Sequence, residues 1–108
     1  MITLSIRYTI DPTKLAEFEA YAKALPEAAE RCGARAVAYY LPTKFAGPTN
    51  QALALIDFPS LAAYEQYRAN LLTDDAAVAV AQRVDKAGCI LVEDRAILRL
   101  VRSATAGG

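Results

Sequence analysis

An α+β fold is predicted by a pattern that the sequence runs through twice. An alternating segment, an amphipathic segment with a capping signal and a second extended segment follow one another from Ile2 to about Leu41, and the same succession returns from Gln51 to about Val101. Between them they account for nearly all of the 108 residues, which suit one domain able to bury roughly two-thirds of its extended surface. A hydrophobic share of 55% makes that domain globular, and its many alanines suit helices packed closely on a sheet. The expected domain covers residues 1–102, with a flexible small-residue tail over 103–108.

Each element has its own signal. In the first strand Ile2, Leu4, Ile6, Tyr8 and Ile10 share one face, and Thr3, Ser5, Arg7 and Thr9 share the other. Asp11-Pro12 is then expected to open a helix, with Asp11 as N-cap and Pro12 in the first helical position. Leu15, Phe18, Ala22, Leu25, Ala29 and Cys32 form its apolar stripe; Glu19 with Lys23 and Glu27 with Arg31 are pairs on its wet side. Pro26 predicts a kink or break, and Gly33 the stop.

The second strand is expected from Ala34 to about Leu41, followed by the longest connection, Pro42 to Asn50, read as a mobile loop. Gln51 to Phe58 is almost wholly apolar, as a central strand should be. Ser60 caps the next helix, whose stripe is Leu61, Tyr64, Tyr67 or Arg68, and Leu71. Thr73-Asp74-Asp75 is a second cap that splits this helical region. Ala77, Val80, Ala81 and Val84 carry the second piece to a stop at Gly88. Cys89 to Val101 holds the last strand, or two short ones.

The order β-α-β-β-α-β is the ferredoxin-like arrangement, in which right-handed crossovers put the helices on one face of a four-stranded antiparallel sheet. Strand two carries Val37, Tyr39 and Leu41 on one side and Ala36, Ala38 and Tyr40 on the other; strand three sets Leu53 and Leu55 against Ala54 and Ile56. Both faces are apolar in the middle, and a bare apolar sheet of that size calls for a partner. The expected assembly is a homodimer, or a multiple of dimers, packed sheet to sheet as a dimeric α/β barrel.

Composition narrows the function by exclusion. Twelve basic and twelve acidic residues cancel without clustering, so no nucleic acid is expected as partner. No segment approaches the ~20 apolar residues of a membrane span. The amino terminus alternates like a strand and lacks the basic start and hydrophobic block of a signal peptide, so the expected location is the cytoplasm. Cys32 and Cys89 are too few and too far apart for a metal framework and are expected as buried thiols in a reducing compartment. The chain has neither histidine nor tryptophan, which excludes a Ser-His-Asp triad, a histidine-ligated haem and histidine zinc sites. No cofactor and no metal are expected, and no catalytic set is identified.

Six residues are candidates for a ligand site: Arg7, Tyr39, Tyr40, Lys44, Asn50 and Glu93. Arg7 points away from the helices, into the barrel of a dimer. A buried guanidinium needs either a ligand anion or an ion pair with Asp57, Glu93 or Asp94. Tyr39 and Tyr40 are consecutive, so one ring joins the core and the other lines the second face. Parity sets them on opposite sides without deciding which is which. Lys44 and Asn50, with Gly47, belong to a loop that either closes over a ligand or is a solvated turn. Glu93 sits in Glu93-Asp94-Arg95, which supplies either a general acid or base or a salt-bridged edge.

These residues also carry a resemblance. Arg7-Tyr8-Thr9-Ile10-Asp11-Pro12, leading to Leu15, Glu17 and Phe18, is similar to the opening strand-and-helix signature of the NIPSNAP family. Val37-Ala38-Tyr39-Tyr40, Gly47 with Asn50-Gln51, Leu55-Ile56-Asp57-Phe58, Ser60-Leu61, and Arg68, Leu71 and Asp74 resemble its later stretches. Ala38 departs from the usual glycine, and the tryptophan of the last helix is missing. The resemblance implies a ferredoxin-like fold assembled as a dimeric α/β barrel and a biochemical role that is poorly defined. It also implies kinship with cofactor-free monooxygenases of antibiotic-biosynthesis type, muconolactone isomerase-like enzymes and haem peroxidases. Of the tryptophan, histidine and asparagine common in the monooxygenases, this chain offers Asn50.

The expected function is binding of a small molecule in a dimeric barrel cavity shaped by Arg7 and the two tyrosines. The alternative is a cofactor-independent monooxygenase or isomerase acting on an aromatic or polyketide-like substrate. A third class, a structural module whose barrel is filled by its own side chains, would have no cavity.

Overall fold

The computed structural model of the protein describes residues 1–102 and residue 104. The tail expected over 103–108 lies outside the described residues apart from Ala104. Strand β1 (Ile2–Ile10) leads to α1 (Leu15–Arg31), β2 (Ala36–Tyr40) and β3 (Gln51–Phe58). Then follow α2 (Leu61–Leu71), α3 (Asp75–Ala87) and β4 (Ile90–Arg99). The four strands form one sheet in the order β2-β3-β1-β4, every neighbouring pair antiparallel. This is the ferredoxin-like α+β arrangement that the repeated pattern predicts, with the second helical region in two pieces as the Asp74 cap requires.

Alternation decides the two sheet faces. Leu4, Ile6, Tyr8 and Ile10 of β1 and Ala52, Ala54, Ile56 and Phe58 of β3 are buried beneath the helices. Phe18, Ala22 and Ala29 of α1 and Tyr67 of α2 close the core from above. Burying this apolar surface is the main driving force for folding. Aromatic rings add directed contacts, with Phe58 lying 4.8 Å from Tyr67 and 5.3 Å from Tyr64 between centroids. Cys32 and Cys89 are both buried and both free thiols.

Several local expectations give way to tertiary contacts. Asp11 does not cap α1: its carboxylate accepts from the backbone N–H and the hydroxyl of Thr13, at 2.9 and 2.8 Å, which makes a turn ahead of the helix. Lys14 stands at the cap position instead, and its Nζ donates to the Ala87 carbonyl at 2.7 Å. Pro26 does not break α1, which runs unbroken because Ala22 and Leu25 before it and Ala28 and Ala29 after it are all buried. Arg31 pairs with Asp74 rather than Glu27, offering Nε and Nη2 to its two carboxylate oxygens at 3.3 and 3.1 Å. That two-point contact suits the planar guanidinium better than a single one. Glu19 and Lys23 do pair, at 3.0 Å.

In α2 the stripe runs through Tyr67, which is buried, while Leu61 and Arg68 are exposed. Ser60 and Asp74 cap α2 and α3, accepting from the N–H of Ala63 and of Ala77. Ala81 is exposed although it belongs to the predicted stripe of α3. Gly88 ends α3 with a positive φ of 65°, as a glycine stop should. β2 is shorter than expected, and β4 is one strand with a register shift opposite Thr9 and Ile10. Beyond Ile90 every residue of β4 is exposed on both faces, so the helices leave this edge strand uncovered. Among the described residues no helix is long and apolar enough to cross a membrane.

Candidate functional site

The register divides the six candidate residues between two faces. On the helix-free face, Tyr40, Leu53, Arg7 and Asp94 lie in one rung, and Ala38, Leu55, Ser5 and Ala96 in the next. Arg7 and Tyr40 are exposed there. Arg7 stands beside Asp94 in register, yet among the described residues it joins no ion pair. With Leu41, Pro42 and Gly47 it borders an open depression under the β2–β3 loop. Lys44 is exposed in that loop. Asn50 ties strand ends together: its Nδ2 donates to the Ile10 carbonyl at 3.2 Å, and its own carbonyl accepts from the Ile10 N–H at 2.8 Å.

Tyr39 and Glu93 belong to the opposite face. Tyr39, Ala54, Ile6 and Arg95 form one rung beneath the helices, and Ala52, Tyr8 and Glu93 form the next. Arg7 and Glu93, both candidates for one ligand site, are therefore separated by the thickness of the sheet.

What the helix face holds is a cavity of about 370 Å³. Its floor is Leu4, Ile6 and Ile56, and α2 and α3 roof it with Tyr67, Leu71, Ala77 and Ala81. Ala77 and Ala81 leave room on the α3 side, and Val78, Gln82 and Asp85 of the same helix also line the space. Tyr21 and Leu25 of α1, Tyr39 of β2 and Arg95 of β4 form its sides, and Arg68 of α2 lines it too.

Phenol groups gather at one side. The hydroxyls of Tyr8 and Tyr39 are 3.4 Å apart, and the Tyr21 ring meets the Tyr39 ring edge-on at 5.9 Å. Phe18 braces the group, 4.9 Å from Tyr8 and 5.7 Å from Tyr21. Burial pushes Tyr8 and Tyr39 far above the ordinary tyrosine range, with the neighbouring Tyr21 adding to it. Tyr21 is raised by burial too, and the Glu93 charge pushes Tyr8 and Tyr21 the same way. Burial also lifts Tyr67, to about 12. All four are neutral hydroxyls at pH 7, able to donate or accept but not to carry charge.

Glu93 is engaged by Arg95, whose Nη2 and Nε donate to one carboxylate oxygen at 2.7 and 2.9 Å. Burial opposes the Arg95 charge, and the Glu93 carboxylate outweighs that cost, so its pKa rises. Arg68 is positioned differently: its Nη1 donates to the Tyr64 hydroxyl at 3.0 Å.

Sequence reasoning missed Tyr21, Tyr67 and Arg68 as cavity residues. One signal was present for Arg68, the spacing of four from Tyr64 on one helix face. Tyr21 precedes Ala22 of the apolar stripe and carries no mark that separates a cavity wall from core.

The NIPSNAP family profile matches residues 4–104. Among solved structures, the chain is similar to the NIPSNAP family protein Atu4242 of Agrobacterium tumefaciens. Sequence identity is 17%, coverage 96% of this chain and 91% of that one, and the TM-score 0.77. An uncharacterized NIPSNAP domain protein from Burkholderia xenovorans superposes over 100% of both chains at 16% identity, with a TM-score of 0.71. An antibiotic biosynthesis monooxygenase shares the fold at 12% identity, covering 94% of this chain and 100% of its own, with a TM-score of 0.72. No curated protein matches the sequence. Since the profile match takes in both strand–helix–strand units, the caps at Ser60 and Asp74 and every wall of the cavity, this chain belongs to the NIPSNAP family.

Proposed function

We propose that this NIPSNAP chain binds a small, mostly apolar molecule in the cavity between its helices and its sheet, and that it works as a homodimer paired through the bare sheet face. The observation that carries the reading is the cavity itself, about 370 Å³ with an aliphatic floor, a roof of Tyr67 and aliphatic residues, and a few polar groups around them. That size and that balance are those of a small-molecule site. The site then lies on the helix side of each sheet, and the second chain covers the other side. Leu53 and Leu55 in mid-sheet, with exposed Tyr40, Val92 and Leu98 around them, support the pairing. Two free buried thiols fit a cytoplasmic setting.

Native mass spectrometry of the freshly purified protein tests both parts at once. A dimer, or a multiple of it, with a reproducible retained mass is expected. Ala81→Trp places an indole on the cavity wall from an exposed helix position, so the fold and dimer should persist while retention falls by at least about tenfold. A dimer of bare chains that takes up no apolar probe would count against the binding site.

The buried phenols favour a second reading, a cofactor-independent oxygenase or isomerase acting on an aromatic or polyketide-like substrate. Neutral hydroxyls fixed beside an apolar cavity can stabilise a developing oxyanion, and Glu93, across from Tyr8 in register but outside the lining and paired with Arg95, would have to leave Arg95 to act as the base. Arg7 has no part in it. Oxygen uptake with a hydroxyanthrone should then fall about 100-fold in Tyr39→Phe. An absence of uptake in the parent protein leaves binding as the function.

A further inference from the structure

Arg68 stands at the mouth of the cavity, since it lines the space and is exposed to solvent as well. Its guanidinium is held in place twice over by Tyr64, through the 3.0 Å hydrogen bond and through a position 5.9 Å from the ring centroid. Tyr64 in turn leans on the buried ring of Phe58. The partner that orients Arg68 is thus a neutral phenol. It occupies one of five donors and leaves the charge uncompensated. Among the described residues Arg68 joins no ion pair, in contrast to Arg95, whose charge Glu93 already meets. Asp85 of α3 is the carboxylate on the lining, and it too joins no ion pair there.

An oriented cation at the opening of an apolar cavity selects a molecule with one anionic end. We infer that the ligand is an amphipathic monocarboxylate, its carboxylate taken by Arg68 and its apolar body lying between the Ile6–Ile56 floor and the Leu71–Ala77 roof. The inference rests on the cavity-binding reading above and adds the charge and size of the ligand. A volume of about 370 Å³ holds roughly a dozen heavy atoms at about 30 Å³ each. A guanidinium suits this end group because its planar fork matches both carboxylate oxygens.

The test is calorimetric titration of the full chain with decanoate, decanol and decylammonium at pH 7, each below its micelle-forming concentration. Decanoate is expected to bind about 10- to 100-fold more tightly than decanol, the range of a charge-assisted contact. Arg68→Gln keeps a long polar side chain at an exposed position, so the protein should fold normally. It should bring decanoate down to the affinity of decanol and leave decanol unchanged. Equal affinities for decanoate and decanol in the parent, both lost in Ala81→Trp, would overturn the carboxylate and leave the cavity site standing. Tightest binding of decylammonium would overturn it as well, by assigning the mouth to Asp85. Binding of none of the three would overturn the inference together with the cavity reading.

Discussion

Phe58→Ala is expected to destabilise the protein by about 3–5 kcal/mol, the cost of removing a fully buried phenyl ring and leaving a cavity behind. Phe58 ends β3 with no solvent exposure and packs against Tyr64 and Tyr67 of α2. It is therefore the main aromatic contact between the sheet and that helix. For a domain of this length the loss corresponds to a fall in melting temperature of roughly 12–40 °C, at about 4–8 °C per kcal/mol. It is a large part of the roughly 5–15 kcal/mol that holds such a domain folded. Phe45→Ala is the matched control. Its ring is 95% exposed, so the same change should move stability by no more than about 0.5 kcal/mol. Urea titrations of the two variants check both values. A loss below about 1 kcal/mol for Phe58→Ala would mean that α2 is not packed on the sheet as described. The variant also links core to site, because the ring that supports α2 is the one on which Tyr64, and through it Arg68, is braced.

Leu55→Asp should turn the proposed dimer into a folded monomer. Leu55 is central on the helix-free face, in a rung with Ala38, Ser5 and Ala96. Small residues on either side let a second sheet approach closely, so a carboxylate there would be buried without a partner. Desolvating an unpaired charge costs at least about 3 kcal/mol, which weakens self-association by more than about 100-fold. The helix face is untouched, so circular dichroism should remain that of the parent, while sedimentation should show half the mass. Persistence of the parent mass would place the interface elsewhere, with the exposed edge of β4 the next surface to alter.

The strands and helices were legible in the sequence wherever one physical signal acted alone. Alternation in β1 marks both of its faces without help. Ser60, Asp74 and Gly88 mark helix ends because capping is a contact between residues one turn apart, visible at fixed spacing. Legibility failed where a distant partner competed with a near one. Arg31 leaves Glu27 for Asp74, and Pro26 is carried by sheet contacts that outweigh its local penalty.

The candidate site was legible only in pieces. Parity puts Tyr39 and Tyr40 on opposite faces, but it takes the register with Ala54 and Leu53 to send Tyr39 under the helices and Tyr40 to the bare face. The same register puts Arg7 and Glu93 on opposite sides of the sheet, although both were candidates for one site. The cavity has no signature in the sequence, because it is a gap between the helices and the sheet. A gap depends on where whole elements come to rest.

By itself, then, the sequence determined the order of elements, the two-faced sheet and the caps of α2 and α3, since these follow from periodicity and from contacts within a few residues, while its short motifs carried the resemblance to the family. The tertiary structure alone decided which tyrosines meet, that Arg68 stands at a cavity mouth, and which face Arg7 and Glu93 each take. Those outcomes depend on strand register and helix placement, where residues tens of positions apart settle their contacts together.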